Sequence, residues 1–220
     1  RRGDGKKAIF DENGNMITPD WFDEIERYGL VEGKSDYYVV SEDGKEAIFD
    51  SYGDRITEWF DAVWSFGLVK GESPYYIAKK NGKYAIFNVD GNQISEWFDY
   101  IEIDGLVSGE SNYYIAKKDG KQAIFDKDGN MITKEWFDWI SSTGLVRGKS
   151  KYYIAKKDGK WAIFDVNGNR VSEWYDMIRE DGLVKGENEY YITCNNKKCA
   201  VYYKNGQKVS EDFSEKEIKG

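Results

Sequence analysis

A chain of 220 residues that is 40% apolar and 16% aromatic can bury a sizeable core, yet its apolar runs never exceed about six residues, far short of the roughly twenty that a membrane span needs; a soluble chain with no membrane insertion is expected. Thirty-two basic and forty acidic residues give a net charge of −8 with the signs interleaved, so nucleic acid is an unsuitable partner. With no histidine, the commonest general base and metal ligand are both missing, and the expectation is a non-catalytic protein with no cofactor and no metal.

The chain opens on RRGDGKK, with no apolar segment behind the arginines that would read as an export signal, so the compartment stays open. Arg2-Gly3-Asp4 spells an adhesion tripeptide, but Asp4 also begins an expected hairpin turn. Residue Ala8 then starts the first Ala-Ile-Phe, and the same alanine recurs at Ala47, Ala85, Ala123, Ala162 and Ala200, at spacings of 39, 38, 38, 39 and 38. A fixed period near 40 signifies stacked supersecondary units. The units are read as a half repeat over 1–28, repeats over 29–66, 67–104, 105–143 and 144–181, and a last repeat over 182–220 whose end, Ser214 to Gly220, frays or caps the array. Half a unit at the start suggests a stretch of a longer array or a ring whose last blade is built from both ends.

Within a unit, Gly144-Leu145-Val146 is predicted as a short strand, Tyr152 to Lys156 as a second, Trp161 to Asp165 as a third and Arg170 to Ser172 as a fourth. Asp158-Gly159 lies between the middle two, where a type I′ turn needs positive φ twice. The connector Ser/Thr-Glu-Trp-Phe-Asp-x-Ile places Trp97 and Ile101 four residues apart, the spacing of one helical turn with a serine cap. In two copies one extra residue follows Thr18 and Thr133, which marks an exposed join. Ile and Phe are adjacent in the third strand and so face opposite sides, and both recur; each meander must be covered on both faces. The fold class that follows is all-β, a tandem of four-stranded antiparallel meanders of about 38 residues packed as in a β-propeller, with an open β-solenoid as the alternative.

Lys160-Trp161-Ala162-Ile163-Phe164-Asp165, a glycine turn, a short apolar strand, aromatic-Asp-x-Ile and Gly-Leu-Val together resemble the bacterial WG (KWG) repeat over nearly the whole chain. All six copies carry Ala where that family has Gly, and only Trp161 keeps the motif tryptophan. The resemblance implies a bacterial binding or structural module and names no ligand. A weaker similarity, in the Gly-Lys-x-aromatic hairpins, is to choline-binding cell-wall repeats, whose period is about half this one.

Turns such as Asp126-Lys127-Asp128-Gly129-Asn130 offer alternate oxygens before a glycine, but the leading carboxylate of a calcium loop is missing there, which favours a plain turn. The connector aspartates Asp23, Asp61, Asp99, Asp138 and Asp176 recur in every unit and therefore read as structural. In the last hairpin, turning at Asn196-Lys197, Cys194 falls opposite Cys199 at a non-hydrogen-bonded site, within disulfide range in an oxidising compartment. Function is expected where copies differ. Before the core alanine and after the connector aspartate, the middle copies carry Tyr84, Tyr100, Trp139 and Trp161, candidates for binding another protein, or alternatively a glycan or cell-wall polymer, provided they do not simply pack between units.

Overall fold

In the computed structural model, which describes residues 3–219, the chain divides into two compact units, Arg1–Gly109 and Glu110–Gly220. The division falls just inside the repeat that the sequence begins at Gly105. The first unit carries β1 (Glu24–Ile25), β2 (Tyr37–Glu42), β3 (Lys45–Asp50), β4 (Ala62–Val63), β5 (Tyr75–Lys80), β6 (Lys83–Asn88) and β7 (Tyr100–Ile101). The second carries β8 (Tyr113–Lys118), β9 (Lys121–Asp126), β10 (Trp139–Ile140), β11 (Tyr152–Lys157), β12 (Lys160–Asp165), β13 (Met177–Ile178), β14 (Tyr190–Asn195), β15 (Lys198–Tyr203) and β16 (Phe213–Ser214). The fold is all-β, a tandem of small antiparallel meanders, each propeller-like in construction: sheets β1-β2-β3 and β4-β5-β6 in the first unit, the β8-β9 pair, β10-β11-β12 and β13-β14-β15-β16 in the second. Among the described residues no helix is long and apolar enough to cross a membrane.

Each central hairpin closes on a type I′ turn. Asp158 and Gly159 sit at φ +50° and +79°, and the pattern recurs at Asp43-Gly44, Asn81-Gly82 and Asp119-Gly120. The last copy has no glycine here, so Asn196 and Lys197 both hold positive φ, +48° and +64°. At the open end of each hairpin, Asp165 Oδ1 accepts the Asn167 and Asn169 N–H groups at 2.9 Å each, and Asp126 and Asp11 do the same in their copies. These carboxylates are occupied as turn acceptors, as the turn reading requires.

Three details of the strand plan differ from the sequence expectation. Gly-Leu-Val is not a strand: Gly144 at φ +89° and Gly148 at +67° reverse the chain within five residues, Lys149 N–H returns to the Gly144 carbonyl at 2.8 Å, and in the first copy Gly29–Glu32 is a 3₁₀ turn. The connector supplies the missing strand instead. Trp139 pairs with Lys156 and Ile140 with Ala155, so no helical turn forms, and adjacent connector aromatics point opposite ways. Trp174 folds back onto its own Phe164 (5.9 Å), while Tyr175 reaches forward to Tyr202 (5.8 Å) of the next sheet. Arg170 to Ser172, expected as the fourth strand, is not one either: it meets its sheet through the single bridge of Arg170 to Phe164, and the connector's Tyr175 bridges Trp161.

Both faces of the hairpin are buried, for the reason that the adjacent Ile and Phe indicate. One face stacks Tyr153 on Phe164 (5.5 Å, 13°) beneath Phe137 of the preceding connector (5.0 Å from Phe164) and against Ile115 and Ile124; the other carries Ile154 and Ile163 into the cluster with Tyr191 and Leu183. In the first unit Val39 and Ile48 meet Tyr76 and Phe87 in the same way. Fully burying each such side chain contributes about 1.5–3 kcal/mol. Neighbouring copies are further tied by a serine in each polar turn: Ser35 Oγ donates to the Val69 carbonyl (2.5 Å), Ser73 to Val107 (2.7 Å), Ser111 to Val146 (2.5 Å) and Ser150 to Val184 (2.6 Å). In the last copy Asn188 stands in the serine's place and accepts from Tyr190 N–H at 2.8 Å.

The extra residue after Thr18 and Thr133 has a structural cost. In the shorter copies this hydroxyl accepts the third strand's isoleucine N–H, as Thr57 does from Ile48 (3.0 Å) and Ser172 from Ile163 (2.9 Å). With the insertion, the Thr18 and Thr133 hydroxyls are buried without a protein partner. The C-terminal tail caps the array: Phe213 pairs with Cys199 and Ser214 with Lys198, and Glu215–Lys219 forms a 3₁₀ turn. In the adhesion tripeptide, Arg2 lies outside the described residues, and Asp4 Oδ1 accepts the Lys6 N–H at 3.1 Å.

Candidate functional site

Hairpin register places the variable positions in lateral rows. Across one sheet Trp139 of β10 faces Lys156 of β11, which faces Trp161 of β12. The two indoles meet edge to face at 5.2 Å, and the Lys156 ammonium lies 4.9 Å over Trp161. In the first unit the equivalent row is Ala62, Lys79 and Tyr84. Tyr84 is bridged to Phe98, which brings Tyr100 of β7 beside it at 5.9 Å. Thus Tyr84 joins Tyr100, and Trp139 joins Trp161. Tyr100 is 43% exposed and Trp139 40%, whereas the fold-bearing Tyr153 and Phe137 are buried.

Copies without aromatics use the same position differently. Lys7 pairs with Glu24, Glu46 accepts the Val63 N–H (2.7 Å) and Gln122 accepts the Ile140 N–H (2.6 Å). In the last copy Cys194 and Cys199 are in register, Cα atoms 4.0 Å apart, and joined as a disulfide. In the first, second and fourth copies the residue before the core alanine thus secures the neighbouring connector, whereas in the last it closes its own hairpin.

Trp64, one residue past β4, completes the cluster, 5.4 Å from Tyr84 and 5.8 Å from Tyr100. It borders a cleft of about 320 Å³ lined by Glu26, Val63, Trp64, Ser65, Phe66, Tyr100 and Ile103. Glu26 Oε2 is buried there with no hydrogen-bond donor. Burial, then the Glu46 charge, raises the Glu26 pKa above its usual value, with Ser65 and Lys70 opposing. Trp64, Phe66 and Glu26 were not among the residues that the sequence suggested. They lie two to four positions further along the connector, where the other copies carry Glu102, Ser141 and Arg179 opposite Trp64; comparing copies at that position as well would have exposed the lone tryptophan.

The recurrent aspartates behave as structural residues. Asp176 pairs with Lys160 of one sheet and accepts the Asn196 N–H (2.7 Å) from the next hairpin turn; Asp61 does so with Lys45 and Asn81 (2.6 Å), and Asp138 with Lys121 and Asp158 (2.8 Å). The lysine first, and the turn N–H second, hold each carboxyl below the usual range. Among the described residues Asp23, Glu42 and Asp43 form an acidic group, and the Lys6 ammonium already sits against Asp23 (3.1 Å) and Glu42 (2.5 Å).

No protein-family model matches the chain, and no curated protein does. Solved structures similar to it include Kluyveromyces lactis Hsv2 with complete loop 6CD (13% identity, 82% of this chain and 60% of that one, TM-score 0.39) and Citrobacter koseri AztD (13% identity, 82% and 57%, TM-score 0.40), both β-propellers. A eukaryotic initiation factor is matched at 11% identity over 98% of this chain and 62% of that one, TM-score 0.44. The chain thus spans about 60% of the length of these structures, and likenesses of this depth carry no argument about ligand or activity.

Proposed function

We propose that this chain is a non-catalytic repeat scaffold that binds another protein through the aromatics at its variable positions, Tyr84 and Tyr100 in one unit and Trp139 and Trp161 in the other. We further propose kinship with the bacterial WG repeat, on the residues from Lys160 to Asp165. The observation that carries the reading is a contrast among aromatics: the second tyrosine of each Tyr-Tyr pair (Tyr38, Tyr76, Tyr114, Tyr153 and Tyr191) and the hairpin phenylalanines Phe49, Phe87, Phe125 and Phe164 are buried in the sheets, while Tyr100 and Trp139, peculiar to single copies, are about two-fifths exposed. Large aromatic rings with free surface dominate interface energetics because they desolvate well at small entropic cost. Chemical cross-linking of the chain in its native extract, run beside a glycan array, tests the reading. Cross-links from peptides containing Tyr100 or Trp139 to one protein, with no glycan bound, are expected. Saturable glycan binding lost in the Trp139→Ala variant would move the function to carbohydrate recognition.

A further inference from the structure

We propose that the cleft walled by Trp64, Phe66 and Tyr100 and closed by Glu26 is a binding site for an organic ammonium group, such as a partner's lysine or methylated amine. The inference deepens the binding role proposed above, since a lysine side chain is the form in which a protein would present that group. Three observations converge on it. The cleft, of about 320 Å³, has room for a methylated ammonium head and offers it three aromatic rings, whose electron-rich faces attract cations. One oxygen of its carboxylate lacks a donor: Glu26 Oε2 is buried without a hydrogen-bond partner, and although Ser65 and the Lys70 ammonium act on the group, the Glu46 carboxylate, which accepts the Val63 N–H (2.7 Å), adds negative charge beside it. The same aromatic neighbourhood already holds one ammonium of the chain itself, since Lys70 Nζ lies 3.9 Å from the Phe66 ring centroid and 4.9 Å from that of Tyr28.

Other ligand chemistries fit less well. An anion would meet Glu26 and Glu46. A hard divalent cation needs six or more oxygens, and this wall is made of rings. A sugar stacks on one flat ring face, whereas Trp64 and Tyr100 meet tilted at 59°.

The test follows the Trp64 indole N–H resonance of the whole chain during titration with tetramethylammonium chloride and with its uncharged isostere 3,3-dimethylbutanol. A saturable shift with the cation alone is expected, at least tenfold weaker in Glu26→Gln and absent in Trp64→Ala, with Glu12→Gln, an exposed turn residue, unchanged as the control for net charge. Glu26→Gln removes a charge without removing volume, so it keeps the fold, and an unaltered thermal midpoint verifies that. Equal response to the alcohol, equal affinity in Glu26→Gln, or no saturable shift up to 100 mM cation would each overturn the inference, while the protein-binding reading would still stand or fall on its own cross-links. A second titration with a Gly-Gly-Lys-Gly-Gly peptide and its norleucine analogue separates the sources: a shift from the lysine peptide alone supports a protein side chain, and a shift from tetramethylammonium but neither peptide supports a free amine in the same site.

Discussion

The close approach of successive copies at the Gly-Leu-Val turn can be measured with a pair of glycine substitutions. Gly144 has φ +89°, and a Cβ added there would lie 2.3 Å from the Tyr152 carbonyl oxygen, 2.8 Å from that of Val184 and 3.0 Å from Val184 Cγ1. Gly159 has φ +79° in the hairpin turn, with nothing within 4 Å of its added Cβ. Both alanine variants incur the left-handed backbone cost of about 1–2 kcal/mol. Only Gly144→Ala must also force apart the backbones of two copies, an overpacking cost of about 1–3 kcal/mol. The expected losses are therefore about 2–5 kcal/mol for Gly144→Ala and about 1–2 kcal/mol for Gly159→Ala. Urea unfolding followed by far-ultraviolet circular dichroism reads the difference as a change of midpoint at constant slope, about twofold or more larger for Gly144→Ala. Equal shifts for the two variants would refute the claim that copies meet backbone to backbone at this turn. Gly182, in the last copy, provides an internal scale: its added Cβ would meet its own Tyr190 carbonyl at 2.4 Å and the movable Asn188 side chain at 3.0 Å, so Gly182→Ala should cost less than Gly144→Ala.

Thr133→Val, which removes a buried hydroxyl that has no protein partner, should be neutral or stabilise by about 1 kcal/mol, whereas Ser172→Ala, which breaks the bond to Ile163 N–H, should destabilise by about 1 kcal/mol; thermal midpoints moving in the same direction would contradict the insertion account. Lys197→Gly relieves a non-glycine residue held at φ +64° and should raise stability by about 1 kcal/mol, read as a higher urea midpoint. Asp23, Asp61, Asp138 and Asp176 have depressed folded pKa values, so their contribution is complete above the ordinary aspartate value near pH 4 and is lost as pH falls through the folded values; an acid titration of stability should flatten below about pH 4 in the quadruple Asp→Asn variant.

The sequence was most legible where one residue type admits one conformation or one neighbour. Asp158-Gly159 fixed a type I′ turn, adjacent Ile163 and Phe164 required cover on both faces, and the offset of Cys194 from Asn196-Lys197 set its register with Cys199. It was least legible where apolar character was read without its flanking glycines. Leu145 and Val146 are buried as a strand residue would be, but Gly144 and Gly148 turn the chain, and burial comes from wedging between copies. The connector misled for a related reason: Trp97 and Ile101 have helical spacing, yet Trp97 packs back on Phe87 (5.9 Å) while Tyr100–Ile101 is strand, because an extended segment can serve two sheets and a helical turn cannot. Of the cleft, Tyr100 was visible as a departure from the repeat. Glu26 was not, since an acid at an exposed connector position looks ordinary until the rings of the next copy are placed around it.

The central claim is that repeated aromatics carry the fold and singular ones carry the binding. The most direct measurement compares the wild-type chain with the Tyr100→Ala/Trp139→Ala variant for binding to the cross-linked partner, alongside their thermal midpoints. A loss of at least tenfold in affinity, with the midpoint moved by no more than about 4 °C, the shift expected for about 1 kcal/mol in a chain of this size, is the predicted result. Unchanged affinity, or a loss that merely follows a collapsed midpoint, would return both rings to the packing between copies and contradict the claim.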